Sequence, residues 1–194
     1  MSFIRSFRFV FHFKPLAAGL TVGIAATAFS GESLGLATWF GPWDYVLRQD
    51  EEGQPQAAFA RLRGKNGSLL WLTCQRFASD ADQAPVPFTS VAVAQKQFLG
   101  RSDPGGRSTV YWFDNNGPEV GHWIYRDRHG QMPDPAQVRD FVDKLAGAES
   151  LTVELSNYRY ETQQYEFRLD PRDTGNVADR FRKDCDDILG KSDR

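Results

Sequence analysis

Apolar and polar residues alternate with a period of two along most of this chain. The run from Trp43 to Arg48 is the clearest case, with Trp43, Tyr45 and Leu47 on one face. That period is typical of a half-buried strand. Asn66-Gly67 and the run from Asn115 to Pro118 each separate two such segments and predict hairpins, because tight hairpin turns need residues that tolerate positive φ. The remaining strand-like segments are 57–63, 68–77, 90–99, 108–114, 119–126, 151–156 and 163–169.

The period changes to that of a helix at two places. Asp134, Pro135 and Gln137 form an N-terminal capping signal, and the apolar stripe that follows predicts a helix over about 134–147. A second stripe, which includes Cys185, predicts a helix over about 173–189. The fold class is therefore α+β and mainly β. We expect a twisted antiparallel sheet or flattened sandwich of about seven or eight strands with two helices.

The N-terminal residues have the composition of an export signal. Arg5, Arg8 and Lys14 precede an apolar stretch from Leu16 to Ala28, with no acidic residue before Glu32. These are the parts of a cleaved signal peptide, with Ala26-Thr27-Ala28 as the cleavage site. The apolar stretch is shorter than the roughly 20 residues of a spanning helix, which favours a cleaved signal. The alternative is that residues 1–30 are retained as an inner-membrane anchor. We expect residues 29–42 to form a loose leader and residues 43–194 to form one domain.

Removal of the signal makes the chain more acidic. The full sequence has a net charge of −2, and loss of three basic residues brings it to −5. Nucleic acid and anionic lipid require basic patches, so neither is expected as a partner. The oligomeric state is not determined by the sequence.

Cys74 and Cys185 are the two cysteines of the chain. An even count in an exported protein predicts a disulfide, which would place the last helix across the strand that carries Cys74. The redox and zinc alternatives require a C-x-x-C spacing or clustered ligands, and neither is present.

Other catalytic or metal-binding patterns are not found in the sequence. His122 and His129 do not have the spacing of a metalloprotease helix, and the nucleophile motifs and phosphate-binding glycine loops are missing. Glu154, Glu161 and Glu166 are expected on a solvated strand face. No cofactor and no metal are predicted, but a hydrolase with a site that the sequence does not reveal stays open.

Aromatic residues on the hairpin arms are the candidate binding surface. Alternation prevents all consecutive aromatics from facing the core, so Trp112 or a neighbour must point outward. Core packing is the competing interpretation for the rest. An exposed aromatic and arginine surface would suit a protein or a glycan. The candidates are Tyr111, Trp112, Trp123, Tyr125, Arg126 and Arg128, and Tyr158, Tyr160 and Tyr165 lie on the next predicted hairpin.

The order of elements resembles two groups of small exported proteobacterial proteins, the invasion-associated locus B family and the VasI-like accessory proteins of type VI secretion. The resemblance covers about residues 43–185. It is carried by Trp43, Leu70 to Cys74, Thr109 to Asp114, the helix Phe141 to Leu145, Leu151 to Val153 and Tyr165 to Leu169 running into the helix with Cys185. The additional cysteines of the locus B pattern and the lipobox of some accessory proteins are not present here. The resemblance implies an exported β-rich protein without catalytic activity.

These observations together predict a periplasmic or secreted accessory protein of the bacterial envelope. It would be stabilised by one disulfide and would bind an envelope protein or a glycan. The alternatives are a periplasmic hydrolase and an envelope subunit anchored by residues 1–30.

Overall fold

The computed structural model describes residues 35–77 and 85–190. The predicted signal peptide and the first part of the predicted leader lie outside these residues. No helix in the described ranges is long and apolar enough to cross a membrane.

The described residues form one antiparallel sheet and two helices, which confirms a mainly β fold of the α+β class. The sheet has eleven strands, more than the seven or eight expected. Its order is β1-β2-β3-β4-β5-β9-β8-β7-β10-β11, and β6 also pairs with β8. The strands are β1 Gly35–Phe40, β2 Trp43–Gln49, β3 Pro55–Arg63, β4 Leu69–Phe77, β5 Val86–Ala94, β6 Gly100–Arg101, β7 Arg107–Phe113, β8 Glu119–Asp127, β9 His129–Met132, β10 Ser150–Ser156 and β11 Thr162–Arg168.

Strand β8 joins the two halves of the sheet. Its first half pairs with β7, and its second half pairs with β9 on one side and with β6 on the other. The halves approach each other again where the backbone of Gly130 lies against the side chain of Leu155 and where Gly64 lies against the ring of Phe167. The fold is therefore sandwich-like, with one continuous hydrophobic core.

Both helices begin with the same local chemistry. Helix α1, Pro135–Leu145, is capped by Asp134, whose carboxylate accepts the amide of Gln137 at 2.9 Å. Helix α2, Pro171–Leu189, is capped by Asp170, so it starts two residues before the predicted position. In each helix a proline occupies the first turn, where its missing N–H removes no hydrogen bond.

Two of the turns agree with the sequence patterns, and one segment does not. Asn66 and Gly67 have φ of +59° and +74° in a 3-10 turn, Lys65–Gly67, between β3 and β4. The hairpin around residues 115–118 joins β7 to β8. The interpretation of residues 29–42 as a loose leader is wrong for 35–40, which form β1. This strand is exposed along nearly its whole length, so it lacks the alternation that reveals a half-buried strand.

Helix α2 lies across β2, β3 and β4, as the cysteine positions predict. Cys74 and Cys185 form a disulfide, with Cα atoms 5.6 Å apart. Beside it, the buried hydroxyl of Tyr45 donates to Asp184 at 2.8 Å. Burial, and then this hydrogen bond to the carboxylate, raise the pKa of Tyr45 far above its ordinary value.

Candidate functional site

The predicted aromatic surface is mostly core. Tyr111, Trp123 and Tyr125 are buried, and the ring of Tyr111 contacts those of Trp123 and Phe141. The three residues share the face of the sheet that packs toward α1, so the prediction that they are exposed is wrong. The competing interpretation, that these three side chains pack in the core, is confirmed.

The other three predicted residues lie nearer the solvent. Trp112 points to the opposite face from Tyr111 and is partly exposed, as the alternation requires. Arg126 and Arg128 are exposed at the turn between β8 and β9. The six candidates therefore do not share one surface, and only the two arginines belong to the surface described below.

The described part of the chain contains no group of three or more metal-ligating side chains. His122 and His129 are both exposed. The three glutamates have different partners. Glu154 accepts a hydrogen bond from Gln164, Glu161 accepts one from Asn157, and Glu166 pairs with Lys65.

One hollow of about 410 Å³ lies between α1 and the β7–β8 hairpin. Its lining includes Lys144, whose ammonium lies 2.7 Å from Glu119 and 2.8 Å from Asp140, and Asp143, which pairs with Arg182. Asp140 and Glu119 raise the pKa of Lys144, so this amine stays protonated and cannot act as a base. Burial, and then the charge of Glu119, raise the pKa of the neighbouring Tyr111 to about 12. The amine at the hollow is therefore held by two carboxylates, and the carboxylate of Asp114 accepts the backbone amides of Glu149 and Ser150.

A different group of residues comes together at the end of the sheet where β8 and β10 finish. Arg107 holds this region together, because its guanidinium lies over the ring of Tyr125 at 5.0 Å and donates to backbone carbonyls from two segments. The acceptors are Leu99, Arg101, Ser156 and Asn157. The amide of Leu99 also donates to the carbonyl of Asp127. Segments distant in sequence are thereby fixed beside one another.

The loop between β10 and β11 is fixed by the buried side chain of Asn157. Its oxygen accepts the amides of Arg159 at 2.8 Å and Glu161 at 3.0 Å, and its nitrogen donates to the Glu161 carboxylate at 2.6 Å. This closed network holds Tyr160 at a φ of +63°, a region that bulky residues rarely occupy. The loop presents Tyr158 and Tyr160 to solvent, with 51% and 84% of their surfaces exposed.

We name a group of exposed aromatic residues and arginines at this end of the sheet the tip surface. Its members are Phe98, Arg101, Arg126, Arg128, Tyr158, Arg159 and Tyr160. The rings of Phe98 and Tyr158 meet edge to face at 6.2 Å, and the guanidinium of Arg159 lies 5.3 Å from the Tyr158 ring centre. Rigid aromatic side chains beside arginines are the composition of protein-binding hot spots.

The tip surface carries four arginines, and the exposed carboxylates of Asp127 and Glu161 lie beside them. Arg101 lies directly opposite Arg126 in the β6–β8 ladder. Like charges facing each other across strands are destabilising. The nearest compensation is a long ion pair, 3.9 Å, from Arg101 to Asp127. An anionic partner would relieve this repulsion.

The sequence contains part of the signal for this surface. Arg126, Arg128 and the two tyrosines stand out as candidates, and Asn157 is a typical turn residue. Phe98 and Arg101 could not be linked to them, because the contacts through Arg107 span about 60 residues of chain.

Comparison of the chain with protein-family models, curated proteins and solved structures finds no match. The resemblance to the locus B family and the VasI-like proteins stays a prediction.

Proposed function

We propose that this chain is an exported accessory protein without catalytic activity, and that it binds an acidic segment of a partner protein through the tip surface. The observation that carries this proposal is that a loop fixed by Asn157 exposes Tyr158 and Tyr160. Arg101 and Arg126, which face each other across β6 and β8, belong to the same surface. A fixed loop loses little conformational entropy on binding, and arginine forks pair with carboxylates in two parallel hydrogen bonds.

The disulfide supports the part of the proposal that concerns export. Disulfides persist in oxidising compartments such as the periplasm and are rare in the cytosol. Cys74 and Cys185 are fully engaged with each other. Amino-terminal sequencing of the exported protein should give a start directly after Ala28, whereas a start at Met1 would favour the anchored alternative.

The binding test uses a fluorescein-labelled peptide of about twelve residues, rich in glutamate and containing two aromatic residues, with a lysine-rich peptide of the same length as the negative probe. Fluorescence anisotropy should show saturable binding of the acidic peptide alone, weakening as salt screens the charges. Arg101→Glu with Arg126→Glu should weaken binding at least about tenfold, because two attractive contacts become repulsive. Tyr160→Ala should also weaken it.

Arg168→Glu is the matched control, since Arg168 is an exposed arginine on β11 outside the tip surface. It should leave the peptide affinity unchanged. Equal binding of both peptides, or equal losses in the tip and control variants, would contradict the proposal. Saturable binding of polygalacturonate in place of the peptide would replace the protein partner with an anionic glycan.

A further inference from the structure

The two terminal strands of the sheet differ in how their free edges are protected. Strand β11 carries charged Glu166 and Arg168, and the 3-10 turn after β3 packs against it through the ion pair of Lys65 with Glu166. Charged side chains and covering segments are the devices by which proteins prevent their edge strands from pairing with other chains. This edge is therefore protected.

Strand β1 lacks the charges, the proline and the bulge that protect other edges. Helix α2 contacts β1 on the face where the ring of Phe40 packs against Tyr45. The sequence of β1, Gly-Leu-Ala-Thr-Trp-Phe, contains no charge and no proline. Its register with β2 runs without a shift from Gly35 to Phe40, so no bulge twists the edge away. Leu36 and Trp39 are 55% and 70% exposed. Within the described ranges β1 pairs with β2 alone. An uncharged, regular and exposed edge of this kind is a template for another strand.

We propose that two copies of this chain associate edge to edge, with their β1 strands paired antiparallel about a two-fold axis at Thr38. This inference is independent of the proposed function, since β1 carries no residue of the tip surface.

The faces of the strand limit the register, and side-chain size selects within that limit. Trp39 and Ala37 lie opposite Asp44 and Val46 of β2, and Leu36, Thr38 and Phe40 lie on the other face. Residues opposite each other in an antiparallel pair must share a face. Pairs centred on Ala37, Thr38 or Trp39 all meet this condition. Centring on Thr38 pairs all of residues 36–40, with each Trp39 opposite an Ala37 and each Leu36 opposite a Phe40.

This arrangement favours a second copy of the chain over a foreign strand. Large Trp39 meets small Ala37 on one face, and two threonines meet at the axis, a favourable cross-strand pair. No like charges oppose each other, because the strand has none. The interface is self-complementary, as a two-fold dimer requires.

Sedimentation velocity of the purified chain over about 1 to 300 µM tests this inference, because a small interface of this type is expected to be weak. The average mass should rise with concentration from that of one chain toward that of two. Thr38→Lys should hold the mass at one chain throughout, since it places two ammonium groups at the axis. Thr38→Glu should do the same, and an equimolar mixture of the two variants should restore the two-chain mass.

Thr162→Lys provides the matched control, an exposed threonine on the opposite terminal strand, and should dimerise as the unaltered chain does. Trp39→Lys, on the other face of β1, gives a second variant if Thr38→Lys does not fold; it should weaken association at least tenfold. A single-chain mass at every concentration would overturn the inference. So would a two-chain mass in Thr38→Lys, or a mixture that stays at the mass of one chain.

Discussion

Reduction of the disulfide between Cys74 and Cys185 should lower the free energy of unfolding by about 5 kcal/mol. The bridge closes a loop with a sequence separation of 111 residues. In the chain-entropy description a loop of this length removes unfolded-state entropy worth roughly 4.8 kcal/mol at 25 °C. Domains of this size are stable by about 5–15 kcal/mol, so the bridge supplies a large share of the total.

The folded state should survive reduction in the absence of denaturant. Helix α2 keeps its buried contacts through Val177, Phe181 and Ile188, and the hydrogen bond from Tyr45 to Asp184 does not depend on the bridge. The effect therefore arises mainly in the unfolded chain. Circular dichroism should change little while the stability falls.

Urea unfolding followed by tryptophan fluorescence, with and without a reducing agent, measures this difference. With slopes of about 2 kcal/mol per molar urea, the midpoint should fall by roughly 2 to 3 M. The Cys74→Ala, Cys185→Ala double variant should show a similar loss and no further response to the reducing agent. A loss below about 1 kcal/mol on reduction would refute the entropic reasoning.

Three further predictions concern packing and ionisation. Gly41→Ala should destabilise by about 1–3 kcal/mol, because φ is +53° and the new Cβ would overlap the carboxylate of Asp173 in α2. Gly53→Ala, with φ +78° and open space around it, should lose less stability in the same urea assay. Asp184→Ala should cost about 1–3 kcal/mol by leaving the buried Tyr45 hydroxyl unpaired, and Asp184→Asn, which keeps an acceptor, should cost less; equal losses would contradict this reading. Since the pKa of Tyr111 is raised to about 12, the folded state keeps this proton when the unfolded chain loses it above about pH 10, so stability present below pH 10 is lost as the pH rises toward 12. Tyr111→Phe should therefore remove about 1 kcal/mol of the loss between pH 10 and 11, and an unchanged pH slope would count against it.

Local patterns in the sequence predict local structure well in this protein. The capping residues around Asp134 define the start of α1, and Asn66-Gly67 marks a turn because both positions have positive φ. The disulfide agrees with the expectation from the even cysteine count and the predicted export signal. Each of these signals depends on a few neighbouring residues.

Features that depend on distant contacts could not be predicted. Alternation shows that Tyr111 and Trp112 face opposite ways, but only the packing of α1 determines which of them is covered. The strand at residues 35–40 has no polar face and so has no periodic signal. The tip surface joins Phe98 to Tyr158 through bonds made by Arg107, which no sequence spacing reveals.

Site-specific photo-crosslinking in the producing cell tests most directly the claim that the tip surface binds an acidic protein. A photoreactive phenylalanine analogue at Tyr160 should give a discrete adduct to an acidic segment of one protein, and the adduct should disappear when Arg101 and Arg126 are replaced by glutamate. The same analogue at Gln164, an exposed residue of β11, should give none. The absence of an adduct at Tyr160, or an equal adduct at Gln164, would contradict the claim.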